Sequence, residues 1–184
     1  MKKNKILASI VVLLALCVVA FTYDLKNLRN DKSNTYISYA CVHKLHSWKG
    51  VDKGVECIAV YDDVSKSIQK VAVSGNVADF DSGNASRDSH GLEVLDGIKY
   101  PKVTFSSTGI GQKGNDLKID GFLTFHGIKK WISINATLQE IEKQLIVKGS
   151  FPILMTDYNV ERPSFMMVKT DNKIDMEFSV ALTK

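Results

Sequence analysis

The chain has 184 residues, of which 45% are hydrophobic and 24% charged. That length and balance suit one domain with a real core and exclude a disordered or fibrous chain. Its formal charge of +4 includes Lys2, Lys3 and Lys5; without them the chain carries only +1, with 21 basic against 20 acidic residues, too little for a nucleic-acid binder.

The first twenty residues, MKKNKILASIVVLLALCVVA, have a cationic start, an apolar stretch and small residues before Phe21, the pattern of an export signal. The competing reading is an uncleaved membrane anchor, because the apolar run over residues 6–21 falls little short of the roughly 20 that a bilayer requires. Lipidation at Cys17 is the weakest reading, since bulky Leu16 precedes it. Export predicts a periplasmic or secreted protein and places Cys41 and Cys57 where disulfides persist. A symmetric hairpin centred on Lys49 would set these two opposite each other and permit a bridge; the alternative is two separately buried thiols.

Residues 21–33 are polar and aperiodic and read as a tether. From residue 34 onward the chain is a series of strand-like runs: 35–42, 55–61, 68–77, 103–108, 117–126, 128–137, 145–151 and 174–182. The segment holding His43, His46 and Trp48 reads as a loop between the first two. Most runs alternate apolar with polar residues, as Ile174, Met176, Phe178, Val180 and Leu182 do in the last, so each has one apolar face. Gly109, Gly111, Gly114, Asn115 and Asp116 read as one breaker-rich turn. Eight such strands with short connections predict an antiparallel sheet, and closure into a barrel would remove its edges.

A helical pattern interrupts the strands between the third and the fourth. Asn84 or Ser86 can cap its first turn, Asp88 suits the positive end of its dipole, and Leu92, Val94, Leu95 and Ile98 supply apolar positions up to the stop at Tyr100-Pro101. Arg87 is out of place at that end of a helix and calls for a partner: Asp81, Asp88 or a ligand's negative group. Residues 154–172 form the one long connection, before the last strand. Its Met166-Met167 pair suits either a pliable apolar lid or a plug of the barrel end.

No arrangement of catalytic carboxylates, nucleophile elbow or phosphate loop stands out. His43, His46, His90 and His126 are the metal candidates, but none has a third ligand at a convincing spacing. His126, beside Gly127, can cap its turn or meet a ligand's polar head. What remains is the interior. Gly121, Ala136 or Gly149 facing inward beside Phe105, Leu123, Phe125, Ile134 and Phe151 would leave a cavity suited to a long hydrocarbon.

The segments RDSHGLEVLDGIKYPKVTFSST and GFLTFHGIKK, with the late FPILMTDYNVERP, closely resemble the YceI-like family over residues 34–184. The resemblance implies an extended, lipocalin-like antiparallel barrel, exported in many bacterial members, that holds a polyisoprenoid in an elongated pocket. It implies no metal, no cofactor and no catalytic residue. By position, Phe105, Leu123 and Phe125 match apolar wall positions, and His126 matches the histidine before the turn. Arg87, Asp88 and His90 match the helix start, with a structural or a functional role. Gly91 and the Asp96-Gly97-Ile98 stretch depart from the family pattern and leave the pocket's shape open.

The expected ligand is thus an isoprenoid or other long-chain lipid, bound against Phe105, Leu123, Phe125, Ile134, Phe151, Met166, Met167 and Phe178, with Arg87, His90 and His126 as polar contacts. Membrane contact would come through the N-terminal segment or lipid exchange, and a monomer and a homodimer both stay open. Two other classes compete: a metal-dependent or stress-related enzyme using the histidines, and an interaction protein with a packed barrel.

Overall fold

A computed structural model describes residues 23–184; the expected export signal over residues 1–20, with Cys17 and the cleavage position before Phe21, lies outside the described residues. The strands are β1 (Leu25–Asn30), β2 (Tyr36–His43), β3 (His46–Asp52), β4 (Glu56–Asp62), β5 (Ser67–Asn76), β6 (Lys102–Lys113), β7 (Asp116–Phe125), β8 (Ile128–Ile141), β9 (Gln144–Leu154), β10 (Ser164–Phe165), β11 (Val168–Lys169) and β12 (Lys173–Thr183). Helix α1 (Ala85–Val94) lies between β5 and β6. Strands β4 to β9 stand side by side in chain order, β12 follows β9, and β1 joins β12 back to β4. Eight antiparallel strands therefore close on themselves. The mainly β, eight-stranded barrel with one helix and a long connection before its last strand is what the sequence led us to expect.

The first strands are assigned differently. Residues 25–30, inside the stretch that reads as a tether, form β1, which pairs with β4 from Leu25 opposite Asp62 to Arg29 opposite Ile58. Leu28 is its one buried residue, so it has no alternation to read; the backbone ladder holds it. Likewise the segment with His46 and Trp48 is strand β3, paired with β2 from Ile37 opposite Asp52 to His43 opposite His46. The helix consequently follows the fifth strand, not the third.

Asn30 explains how one ring of strands serves two ends. Its side chain donates to Val55 O at 3.0 Å and accepts from Cys57 N at 2.7 Å, extending the ladder with β4 just as the backbone departs. Asp31 then caps a short 3₁₀ turn by accepting from Ser33 N at 3.0 Å. Beyond it the chain lies against β12, where Thr35 Oγ1 accepts from Ala181 N at 3.1 Å. Strand β12 thus pairs with β1 near its C-terminus and with β2 over Asp175–Ser179. The far edge of β3 makes only a bridge at Val51 and Asp81; helix α1 follows this bridge and supplies wall where the strands part.

Three local expectations are corrected. The β2–β3 turn falls at Lys44 and Leu45, not Lys49, so Cys41 faces Trp48 and Cys57 faces Val73. Both cysteines are buried free thiols in separate parts of the core. Gly109 and Gly111 lie within β6, which bulges between Ser107 and Gly109, and the turn itself is Gly114 and Asn115. Ile98 is fully exposed and takes no part in the helix's packed face.

Candidate functional site

Along β7, β8, β9 and β12 the inward residues follow the period of two seen in the sequence, and between them runs an elongated cavity of about 730 Å³. That volume lies within the roughly 300–1,000 Å³ of small-molecule sites. Its middle is walled by Phe105, Leu123, Ile134, Phe151 and Phe178, with Phe125 nearer the helix end. Leu92 and Val94 of α1, with Leu95 at its C-cap, line it from the side.

Glycines set the shape of this wall in a way that differs from the expectation. Gly121 and Gly149 do face inward, but aromatic rings lie across them. A Cβ on Gly121 would stand 2.6 Å from Phe105 Cζ, and one on Gly149 would stand 2.7 Å from Phe178 Cζ. The missing side chains let two rings lie back against the wall, leaving the lumen free along its axis.

One end is a floor. Tyr61, Leu145 and Leu182 are about 1% exposed there, with Leu28, Leu117 and Leu138 packed beside them. At the other end the lining turns polar: Asn84, Ser86, Arg87, Asp88 and His90 from the start of α1, His43 and His46 from the β2–β3 turn, and Ser164 and Thr170 from the long connection. Asn84 caps α1 by accepting from Arg87 N at 3.0 Å, and Asp88 accepts from Ser82 N at 3.2 Å, fixing the helix start. Arg87 takes neither Asp81 nor Asp88 as its partner. Its guanidinium sits 5.7 Å from the centroid of the Trp48 ring and donates to Ser82 Oγ at 3.4 Å. Stacking on an aromatic face leaves the edge of a guanidinium able to bond a polar group.

The histidines do not converge on one centre. His43 accepts from Leu45 N at its Nδ1, 3.3 Å away, and donates from Nε2 to Val168 O at 3.0 Å, so both ring nitrogens hold the turn. His90 is exposed beside Glu93. His126 sits outside the cavity lining: its Nδ1 donates to Tyr158 O at 2.9 Å and its ring meets Tyr100 edge-on. It braces the β7–β8 turn against the 3₁₀ turn Met155–Tyr158, and is corrected here from ligand contact to brace. Met166 and Met167 are also corrected: neither lines the cavity, and they are 73% and 94% exposed at the β10–β11 turn. Among the described residues no three His, Cys, Asp or Glu side chains gather as metal ligands.

Several lining residues carried no sequence signal. Trp48 lay in an apparent loop, and Tyr39 and Cys41 lie on β2, whose pairing with β3 was not visible. Burial pushes both the Cys41 and the Cys57 thiol up to about 12, so these wall sulfurs are inert apolar surface at neutral pH. Asp52 is wholly buried in the lining. Its Oδ1 accepts from Gly54 N at 2.6 Å, Oδ2 has no hydrogen-bond partner among the described residues, and burial raises its pKa.

The YceI-like domain matches residues 28–182 of the chain. Protein YceI of Salmonella newport is 30% identical over 141 residues, 75% of this chain and 73% of that protein. Among solved structures, Burkholderia cenocepacia BcnA superposes with a TM-score of 0.74 at 19% identity, covering 83% of this chain and 98% of that one. A structure described as a polyisoprenoid-binding domain from Saccharophagus degradans superposes at 0.70 with 11% identity, covering 87% and 99%. At these identities the structures establish the shared barrel.

Proposed function

The chain belongs to the YceI-like family, and from that premise we propose that its barrel binds and carries a polyisoprenoid or similar long-chain lipid, without chemical turnover, in the periplasm or outside the cell after export. The observation that carries this reading is the cavity: largely apolar, about 730 Å³, closed at a packed floor, and with its polar side chains gathered at the mouth apart from Asp52 and Thr104. The Saccharophagus neighbour's description as a polyisoprenoid-binding domain agrees with that chemistry.

Each methylene removed from water contributes on the order of 0.8 kcal/mol, so a long chain gains affinity by length alone. That gain is offset by the cost of ordering a flexible chain. The aromatic and branched residues of the wall supply the burial, and Arg87 and His90 at the mouth orient the polar end. A packed-barrel interaction protein does not account for a lumen of this size. An enzyme using the histidines has to explain why His43 spends both ring nitrogens, and His126 its Nδ1, on backbone groups.

Titrating delipidated protein with prenyl alcohols of increasing length tests the reading. Affinity is expected to rise with each added isoprene and then level off when the chain meets the floor. Ile119→Trp, on the wall toward the floor, is expected to move that plateau to a shorter chain. An affinity independent of length would overturn the proposal.

A further inference from the structure

Two tight reversals border the mouth. One joins β2 to β3 through Lys44 and Leu45, with His43 opposite His46; the other joins β10 to β11 through Met166 and Met167, with Phe165 opposite Val168. Two hydrogen bonds tie them together: His43 Nε2 donates to Val168 O at 3.0 Å, and Asp171 N donates to Val42 O at 2.8 Å. The two tips therefore form one lip, and His43, His46, Ser164 and Thr170 within it line the cavity.

The lip turns its apolar side chains outward. Val42 is 44% exposed, Leu45 63%, Met166 73% and Met167 94%. Single exposed apolar residues are ordinary, but four on one lip form a patch. Exposed Lys44 and Lys169 flank it. No Asp or Glu occurs over residues 42–47 or 164–169; Glu161 and Asp171 stand just beyond the second tip.

The backbone adds a separate observation. Met166 and Met167 have φ of 50° and 65°, the left-handed region that a two-residue hairpin turn ordinarily fills with Asn-Gly. Two unbranched apolar residues are thus kept at positions where other residues would fold more easily, with their side chains in water. Neither core packing nor turn formation accounts for that choice.

We infer that this lip is a docking surface for an anionic lipid bilayer: Leu45, Met166 and Met167 enter the headgroup layer while Lys44 and Lys169 lie at the phosphates. Apolar tips flanked by lysines are the pattern of interfacial membrane contact, whereas the centre of a protein interface is depleted in lysine. Docked in this way, the mouth faces the bilayer and a chain passes into the lumen without crossing water. The inference rests on the carrier reading, which gives a docked mouth its purpose.

The test places a reporter on the tip itself. Leu45→Trp in the full chain is titrated with phosphatidylethanolamine–phosphatidylglycerol vesicles carrying brominated acyl chains, so that quenching reports insertion of the lip whatever the N-terminal segment does. Relative to the parent's Trp48 and Trp131, the new emission is expected to shift to the blue and to be quenched. Adding Lys44→Gln and Lys169→Gln is expected to weaken vesicle affinity about fivefold per lysine at low salt. Met166→Asn with Met167→Gly is expected to raise Tm while slowing transfer of bound lipid to vesicles, with the bound lipid itself unchanged by native mass spectrometry. Emission at position 45 that stays water-like beside vesicles would overturn the inference, and so would undiminished transfer by the Asn-Gly variant. Tip insertion by protein that neither holds nor takes up a long-chain lipid would uphold the lip and overturn the carrier reading instead.

Discussion

At the floor of the barrel, Tyr61, Leu145 and Leu182 are about 1% exposed, and β1 closes the strand ring around them by backbone pairing on both sides. At the mouth, β1 has given way to β2, the edge of β3 is held by a single bridge, and helix α1 and two hairpin tips stand where strands would. The same chain builds a sealed, apolar end and an open, polar end. The switch between them is Asn30, whose side chain takes over the ladder where the backbone turns away. A hydrocarbon chain would be stopped by the first region and its head received by the second.

The largest break in this contrast comes from opening the floor. Leu145→Ala removes a buried side chain from the floor, and about 2–5 kcal/mol of stability is expected to go with it, read as a lowered urea midpoint. The lumen would lengthen at the same time, so the same variant should accept a longer prenyl chain if its fold survives.

Gly149→Val comes next. Its side chain would meet both Phe178 and the Asn135 carbonyl, forcing the ring into the lumen and straining the β8–β9 pair at a cost of about 1–3 kcal/mol. Loss of prenyl-alcohol binding greater than the loss of stability alone explains would confirm that the glycine–ring pairs keep the lumen open.

Asp52 sharpens the comparison through pH. Its pKa in the folded chain is raised by burial, so the folded state binds the proton more tightly than the unfolded one, and this group's contribution to stability falls as pH rises past about 4. Asp52→Asn removes that dependence. Melting curves should show the variant gaining on the parent from pH about 4 upward and no gain below it; a constant offset across pH would show that the carboxyl is not responsible.

The smallest effect on stability is expected at the mouth. Arg87→Ala gives up a stacking contact worth about 0.5–1 kcal/mol, yet it should lower retention of a lipid with a polar head more than that of a plain hydrocarbon of equal length. Equal losses for both would make Arg87 a brace for α1 and Trp48.

How much of this was legible follows from what each residue feels. Strands β7, β8 and β12 face the lumen on one side and water on the other, so their alternation announced both fold and wall. Phe105, Leu123, Phe125, Ile134, Phe151 and Phe178 do line the cavity, and Arg87 and His90 reach the mouth. Strand β1 was invisible because only Leu28 is buried in it and its place depends on hydrogen bonds to distant strands. Centring the hairpin on Lys49, with β3 unseen, set Cys41 opposite Cys57, where the turn at Lys44 and Leu45 sets it opposite Trp48. Met166 and Met167 read as a lid or a plug of the barrel end because of their type, but their turn holds them at the surface, outside the cavity lining. His126 read as a turn cap or a ligand contact, and Tyr158 O claims its Nδ1.

The carrier reading is tested most directly by native mass spectrometry with lipid extraction on the protein purified from its own cell. The account predicts one long-chain lipid per barrel, released on unfolding and displaced by the Ile119→Trp substitution in the lumen. Protein that arrives with an empty lumen and takes up no long-chain lipid offered to it would contradict the account.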